Sequence, residues 1–142
     1  MARTFTQADA LTVRARRTLS DHRTRAKKDG AILGYTLANI RQLLESSQCC
    51  EYCKMPLAWD VQLDHRTPLS RGGRHVLENL AACCSRCNSA KGMLCELEYR
   101  QLRTLLEALH PVARGDIERR LLAGAKRYSG SRKKGTVRDF LE

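Results

Sequence analysis

The chain has 142 residues, with 26 Lys and Arg against 15 Asp and Glu, a formal net charge of +11 and 7 Cys. This length predicts one domain, or one small domain with helical extensions. No apolar run is long enough to span a bilayer and the N-terminus lacks the apolar stretch of a signal peptide, so we expect a cytoplasmic protein with no membrane partner. Cysteines in that compartment are metal ligands or free thiols rather than disulfides. The positive charge predicts a polyanionic partner, most simply nucleic acid.

The basic residues lie mainly in the two flanks of the chain. Residues 1–48 carry 9 Lys and Arg against 4 Asp and Glu, residues 96–142 carry 11 against 7, and residues 49–95 carry 6 against 4. The densest cluster is opposed only by Asp21. It consists of Arg14, Arg16, Arg17, Arg23, Arg25, Lys27 and Lys28. Because like charges at helical spacing repel, this cluster favours contact with phosphates over the alternative of a solvated helix face.

Two helices are predicted before the first cysteine. The first spans residues 7–28, with Thr6 as N-cap and Gly30 as stop signal. Its thin apolar face predicts weak packing or contact with a partner. That face consists of Leu11, Ala15, Leu19 and Ala26. The second helix spans residues 37–45 after an N-cap at Thr36, and its apolar residues have the spacing of a buried face. They are Leu37, Ile40, Leu43 and Leu44.

Proline and glycine divide the cysteine-rich centre into short elements. We predict a strand at residues 61–63 that ends at Asp64 and His65, a partner strand at residues 77–82, and a short helix at residues 85–92. The predicted order is therefore strand, long loop, strand, helix.

Helical periodicity returns after Cys95. A helix that ends at Pro111 is predicted to have one apolar side, formed by Leu97, Leu102, Leu105, Leu106 and Leu109. A further helix is predicted over residues 114–128. Residues 129–134 indicate a basic linker, and residues 136–142 one last turn or two.

Two Cys-x2-Cys pairs predict a metal site. Cys50 and Cys53 form one pair, and Cys84 and Cys87 form the other. A two-residue spacing lets both thiolates of a turn bind one ion, and two such pairs supply the four soft ligands of a closed, structural zinc site. A lone pair would instead be a redox dithiol or buried cysteine.

The neighbouring cysteines leave the register of this site open. Cys49 and Cys83 would give two Cys-x3-Cys pairs with the same partners. We favour the two-residue spacing because it occurs in both halves. Cys49, Cys83 and Cys95 are then expected to be small apolar fillers. Tyr52 and Trp59 are expected to pack around the zinc site rather than to stack on bases.

The insert between the two pairs carries a second motif. Asp64 places a hard oxygen ligand beside the titratable His65, Asn79 follows 14 residues after His65, and Asn88 follows directly on the last zinc cysteine. Residues 49–92 resemble the HNH endonuclease family, in the form whose third motif residue is Asn. The residues that carry the resemblance are Cys50, Cys53, Asp64, His65, Pro68, Leu69, Gly72, Gly73, Asn79, Leu80, Cys84, Cys87, Asn88, Lys91 and Gly92.

The resemblance implies a mainly helical α+β protein with a ββα-metal (His-Me finger) core, a structural four-Cys zinc site and flanking helices. It implies that His65 is the general base, that Asp64 and Asn88 bind a catalytic divalent cation, and that Asn79 ties the loop and orients the histidine. Oxygen ligands suit Mg²⁺ or Mn²⁺ better than a softer ion. A histidine with a pKa near ~6.5 can take a proton from water at neutral pH.

The implied organisation has four parts. Residues 1–48 form a basic helical extension, residues 49–95 the nuclease core, residues 96–128 helices that pack on the core, and residues 129–142 a basic tail. Arg66, Arg71, Arg74 and Lys91 are the local candidates for phosphate contact. His75 is either a phosphate contact or a plain loop residue, and His22 and His110 are expected on the surface.

The predicted function is metal-dependent hydrolysis of DNA, by nicking or double-strand cutting, with 5′-phosphate and 3′-hydroxyl products. The expected partner is double-stranded DNA, with a homodimer or a larger DNA-processing complex as options. The size resembles stand-alone phage and bacterial HNH proteins of packaging, restriction or mobility. A zinc-stabilised DNA-binding module without catalysis is the main alternative, and an RNA nuclease or toxin is a weaker one.

Overall fold

The computed structural model describes residues 6–57 and 61–131, and it shows a mainly helical α+β protein with a small antiparallel sheet. The helices are α1 (Gln7–Lys28), α2 (Leu37–Ser46), α3 (Ser85–Lys91), α4 (Glu96–Glu107) and α5 (Pro111–Ser131), and the strands are β1 (Gln62–His65) and β2 (Leu80–Cys83). Among these elements, no helix is long and apolar enough to cross a membrane.

The predicted N-caps of the first two helices and the predicted stop signal of the first are confirmed. The Thr6 side chain accepts a hydrogen bond from the Asp9 backbone, and the Asp9 carboxylate accepts one from the Thr6 backbone, which is a capping box. Thr36 and Asn39 form the same arrangement at α2. Gly30 follows α1 with φ +63°, a left-handed conformation that stops a helix.

The expectation that α1 packs weakly is wrong. Ala15, Leu19, His22 and Ala26 are buried and lie on one face of α1 at helical spacing, and α1 packs against α2. Ala15 and Leu19 share a hydrophobic core with Ile40 and Leu44 of α2 and with residues of the sheet. Small side chains let α1 pack closely against α2, so a thin apolar face is sufficient to bury this side of the helix.

Strand β2 lies between two hydrophobic cores. It pairs antiparallel with β1, and His65 lies opposite Leu80. Leu80 and Ala82 belong to the core shared with α1 and α2, whereas Ala81 and Cys83 belong to a second core around the cysteine pairs. Because side chains alternate along a strand, this short strand joins the N-terminal helices to the cysteine-rich region.

The C-terminal helices differ in part from the prediction. Helix α4 ends at Glu107, and Pro111 begins α5, where its missing N–H has no helical partner to lose. Residues 129–131, predicted as a linker, are helical. The remaining linker residues and the predicted last turn lie outside the described residues. The expected apolar side of α4 is divided, since Leu106 is buried with Tyr99 while Leu97 and Leu105 are 68% and 67% exposed.

The loop between the strands is shaped by two glycines. Gly72 has φ +85°, which favours glycine. A Cβ on Gly73 would lie 2.0 Å from the carbonyl oxygen of Thr67, so only glycine fits the close approach of these backbone segments. The loop therefore returns sharply to β2 and carries His75 against the N-terminal part of the chain, where the His75 carbonyl accepts a hydrogen bond from Gly34 at 2.7 Å.

Candidate functional site

The structure brings together the four thiols of the two Cys-x2-Cys pairs. The Sγ atoms of Cys50, Cys53, Cys84 and Cys87 all lie within 4.8 Å of one another. Four thiolates at such separations fit the tetrahedral coordination of zinc, and they leave no open position for water. The cluster can therefore hold a structural zinc ion. The Cys50 and Cys84 register, rather than that of Cys49 and Cys83, places the thiols together.

Backbone donors support the thiol cluster. The N–H of Cys84 lies 3.4 Å from Cys50 Sγ, and that of Cys87 lies 3.4 Å from Cys84 Sγ. Burial opposes ionisation of Cys50, but backbone hydrogen bonds lower its pKa to about 7. Burial raises the pKa of Cys84 and Cys87, and charge repulsion from Cys50 raises both further, although hydrogen bonds act in the opposite direction. A bound cation would offset this repulsion, since zinc binds the deprotonated form.

The three remaining cysteines have different surroundings. Cys83 is fully buried on β2, as expected for an apolar filler, and burial raises the pKa of its thiol. Cys49 is exposed, so its prediction as a core filler is wrong. Cys95 is half-buried at the start of α4, where its N–H donates to Glu98 Oε2 at 2.7 Å.

Both cysteine pairs position side chains on Asp64. Tyr52, between Cys50 and Cys53, donates from its hydroxyl to Asp64 Oδ2 at 2.6 Å. Lys91, four residues after Cys87 on α3, places Nζ 2.9 Å from the same oxygen and 2.8 Å from the carbonyl oxygen of His65. The Tyr52 hydroxyl and the Lys91 ammonium group therefore both contact Oδ2 of Asp64. Neither of them contacts Oδ1.

The environment of Asp64 suits a cation ligand. Burial raises the pKa of Asp64, although Tyr52 and Lys91 act in the opposite direction. A buried carboxylate whose negative charge is incompletely compensated gains from a further cation. Asn88, on the adjacent helix α3, offers a second oxygen ligand. Its Nδ2 donates to Gln62 Oε1 at 2.6 Å, which leaves the amide oxygen Oδ1 as a potential hard ligand.

His65 is buried at the end of β1, and its ring is surrounded by positive or imidazole groups. Burial, followed by His22, Arg25, His75 and Lys91, lowers its pKa to about 3. The pKa of His65 is therefore much lower than the value of about 6.5 expected from the sequence. The imidazole is uncharged throughout the neutral range, so one ring nitrogen can accept a proton, although as a weaker base than a solvent-exposed histidine.

Asn79 ties the loop that precedes β2. Its Oδ1 accepts from the Thr67 backbone at 2.8 Å, and its Nδ2 donates to the carbonyl oxygens of Thr67 and Arg74, each at 3.0 Å. The Asn79 carbonyl also accepts from the Arg66 backbone at 2.8 Å. Asn79 thus holds together both ends of the segment that follows His65.

Asp64, His65 and Asn88 line two clefts of about 250 and 370 Å³. Arg25 of α1 lines both clefts, Arg14 and His22 line the smaller one, and Lys28 lines the larger one. Arg14 also donates to the Val61 carbonyl at 2.8 Å, which anchors α1 beside β1. Part of the predicted basic cluster is therefore a wall of these clefts. Arg16, Arg17, Arg23 and Lys27 of α1 are exposed.

The four residues near the motif that were predicted to contact phosphate do not line these two clefts. Lys91 is 1% exposed and bound to Asp64, so its predicted phosphate contact is corrected to a contact within the protein. Arg66 pairs with Glu96 at 2.8 Å, and Arg71 pairs with Glu98, both on α4. Neither lines the two clefts described above. Arg74 is exposed on the loop.

One histidine differs from the prediction. His22 is 4% exposed rather than on the surface, and its Nδ1 lies 2.5 Å from the hydroxyl of Tyr35. Burial, Arg25 and His75 lower the pKa of His22 to about 4. His75 is 5% exposed, and its Nε2 lies 3.3 Å from Asp29 Oδ2, so it is a buried loop residue, which agrees with the second of the two alternatives given for it. His110 is exposed, as predicted.

Sequence reasoning missed Gln62, Tyr52 and His22 as parts of this site. Tyr52 was assigned only to the surroundings of the zinc cluster; it is buried there and also bonds Asp64. His22 continues the helical spacing of the buried Leu19 and Ala26, and this spacing could have identified it. No pattern in the sequence indicated that Gln62 belongs to the site. Trp59 lies outside the described residues.

Residues 50–93 match the family model described as HNH endonuclease. The match covers just under a third of the chain and includes the four-Cys cluster with Asp64, His65, Asn79 and Asn88. Residues 50–93 are therefore similar to an HNH endonuclease domain. Comparisons with curated proteins and with solved structures give no significant match.

Proposed function

We propose that the protein is a metal-dependent HNH endonuclease that hydrolyses phosphodiester bonds of DNA. The observation that carries the proposal is the convergence of Asp64, His65 and Asn88 on clefts that are also lined by basic residues of α1. A structural or purely DNA-binding zinc module has no need of a buried acid–imidazole pair beside an available amide oxygen.

In this proposal His65 accepts the proton of the attacking water. The uncharged state of its imidazole at neutral pH supports that role. Asp64, through the oxygen that Tyr52 and Lys91 leave free, and Asn88, through its amide oxygen, would hold one Mg²⁺ or Mn²⁺ ion. A divalent cation supplies Lewis-acid stabilisation of the phosphate charge and a template for substrate binding.

The remaining residues position the reacting groups. Asn79 holds the loop after His65, and Arg14, Arg25 and Lys28 supply positive charge for the substrate backbone. We propose that β1, β2 and α3 form a ββα-metal core, since the antiparallel pair is followed directly by a helix that contacts β1. Residues 49–95 would be the nuclease core, with residues 1–48 as an N-terminal basic extension and residues 96–128 packed on the core.

The substrate is proposed to be double-stranded DNA. A single core suits cleavage of one strand, so double-strand cutting would require a homodimer, a larger complex or two sequential nicks. A cytoplasmic location is part of the same proposal. RNA is a further substrate to include in the same assays.

Plasmid digestion across divalent metals tests the proposed function. The zinc-loaded protein is incubated with supercoiled DNA in Mg²⁺, in Mn²⁺ and without added metal, and the product ends are mapped. We expect nicked or linear DNA only with added metal, and ends with 5′-phosphate and 3′-hydroxyl groups. DNA binding without cleavage in every metal would contradict the proposal and favour the non-catalytic zinc module.

A further inference from the structure

Tyr52 connects the first cysteine pair to the proposed catalytic clefts. It lies between Cys50 and Cys53 in the sequence, and its side chain is buried. Its hydroxyl donates to Asp64 Oδ2 at 2.6 Å. Because phenylalanine would supply the same ring for packing around the thiols, the hydroxyl is the part of Tyr52 that acts on Asp64.

Helix α4 holds the Tyr52 ring in place. The Tyr99 ring meets it edge to face, with ring centroids 5.2 Å apart and an interplanar angle of 86°. The guanidinium carbon of Arg100 lies over the Tyr52 ring, 5.7 Å from its centroid, and Arg100 is itself anchored by ion pairs to two glutamates. Both contacts come from residues that follow the matched family segment, residues 50–93. The phenol therefore has a fixed direction.

Lys91 and Tyr52 restrict the Asp64 carboxylate in different ways. The Lys91 ammonium group contacts Asp64 Oδ2 at 2.9 Å and the His65 carbonyl oxygen at 2.8 Å. An ammonium group is a compact charge with three donors on a flexible stem, so it can follow a carboxylate that rotates. The phenol of Tyr52 has one donor on a fixed ring, so it specifies the oxygen that it binds. Both contacts are made together when Oδ2 faces the two side chains.

Rotation of this carboxylate would change what Asp64 offers to the clefts. The torsion between a carboxylate and its Cβ is broad, so an aspartate without directional partners samples many orientations. Asp64 lines both clefts together with Asn88. A divalent cation held by both residues needs the carboxylate oxygen in a fixed place relative to the amide oxygen. A hydrogen bond that fixes the carboxylate therefore favours binding of the cation.

We propose that Tyr52 is a positioning residue whose hydroxyl orients the Asp64 carboxylate for a divalent cation. The proposal rests on the proposed function for the role of Asp64 as a metal ligand. It gives a function to the connection between the thiol cluster and the clefts, because Tyr52 lies between two cysteines of that cluster. Removal of a hydrogen-bond partner of a metal ligand lowers metal affinity or activity by about 10- to 100-fold in metalloproteins.

Binding of Mn²⁺ alone to the full-length, zinc-loaded protein tests the proposal without DNA. Free Mn²⁺ is measured by electron paramagnetic resonance, and Asp64→Asn defines the binding that belongs to this site. Tyr52→Phe keeps the ring, and we expect about 10- to 100-fold weaker Mn²⁺ binding with zinc content retained. Tyr35→Phe is the matched control and should bind Mn²⁺ like the wild type, because the hydroxyl of this buried tyrosine bonds His22.

Plasmid cleavage as a function of Mn²⁺ concentration separates positioning from a merely structural role. In Tyr52→Phe, the Mn²⁺ concentration for half-maximal cleavage should rise by about 10- to 100-fold, whereas the rate at saturating Mn²⁺ should stay close to that of the wild type. A structural role would lower the rate at every Mn²⁺ concentration and leave the half-maximal concentration unchanged. That result would overturn the proposal.

The outcomes separate the two proposals. Equal Mn²⁺ affinity of the wild type and Tyr52→Phe would overturn the positioning role, and cleavage of DNA by both proteins would leave the nuclease assignment intact. If the wild type binds Mn²⁺ without cleaving DNA, the nuclease assignment is contradicted, while weaker Mn²⁺ binding by Tyr52→Phe still supports the positioning role. A wild type that binds Mn²⁺ no better than Asp64→Asn would overturn the positioning proposal, whatever the cleavage result.

Discussion

Lys91 is the most deeply buried charged side chain in the described part of the chain. Its ammonium group is fully buried and bridges Asp64 Oδ2 and the His65 carbonyl. Removing one partner of a buried pair is much more destabilising than removing both, because it leaves an uncompensated charge. Lys91 therefore stabilises Asp64 in the ionised state and fixes the carboxylate beside the clefts.

Lys91→Met should consequently destabilise the protein. We expect a loss of about 3 kcal/mol in the free energy of unfolding, measured by urea denaturation of the zinc-loaded protein at neutral pH. Lys27→Met removes an exposed lysine of α1 and should change that free energy by less than about 0.5 kcal/mol. Equal stability of the two variants would contradict the structural role of Lys91.

Helix α1 shows how one element serves both the core and the clefts. Its small apolar residues pack on α2 and the sheet, while Arg25 and Lys28 project from exposed positions into the cleft lining. Arg16 and Arg17 are exposed too but do not line the clefts. These two pairs of residues make a matched comparison of charge at different places on one helix.

Neutralising Arg25 and Lys28 to Gln should weaken DNA binding and reduce its salt dependence. The slope of log K against log salt is negative, and each lost phosphate contact reduces its magnitude by about 0.9. Loss of two contacts is therefore expected to reduce the magnitude of the slope by about 1.8. Arg16→Gln with Arg17→Gln is expected to have a smaller effect on the slope. Titrations over a range of salt concentrations measure both. An unchanged slope for the Arg25 and Lys28 variant would place the DNA away from these clefts.

Short-range patterns were the most informative part of the sequence. The caps at Thr6 and Thr36 and the two-residue cysteine spacing depend on neighbours along the chain, so they were predictable. The burial of Lys91, His22 and His75 depends on contacts between distant segments. The position of Lys91 near Asn88 in the sequence therefore suggested a phosphate contact, although in the folded chain Lys91 contacts Asp64.

At the scale of the molecule, the thiol cluster and the clefts are one connected unit. Tyr52 reaches Asp64 from the first cysteine pair, and Lys91 reaches it from the helix that begins at the second pair. Arg100 connects α4 to the same region through its ion pair with Glu51, at 2.8 Å. Loss of zinc should therefore disturb Asp64 as well as the local fold.

Serine substitutions at Cys50 and Cys49 test this connection and the register of the site. Cys50→Ser should lower zinc content, stability and DNA cleavage together, because the thiol belongs to the four-Cys cluster. Cys49→Ser alters an exposed neighbour and should retain all three. Zinc analysis, thermal unfolding and plasmid cleavage measure the effects. A zinc-free, fully stable Cys50→Ser protein would contradict a structural metal at this site.

We propose above all that His65 acts as the general base in the cleavage of bound DNA. The most direct measurement is the single-turnover rate of plasmid cleavage by His65→Ala, with zinc content and DNA affinity determined on the same sample and His110→Ala as control. We predict a rate reduced by about 10²- to 10⁴-fold, with zinc and DNA affinity retained. A His65→Ala protein that cleaves DNA as fast as the wild type would contradict the account.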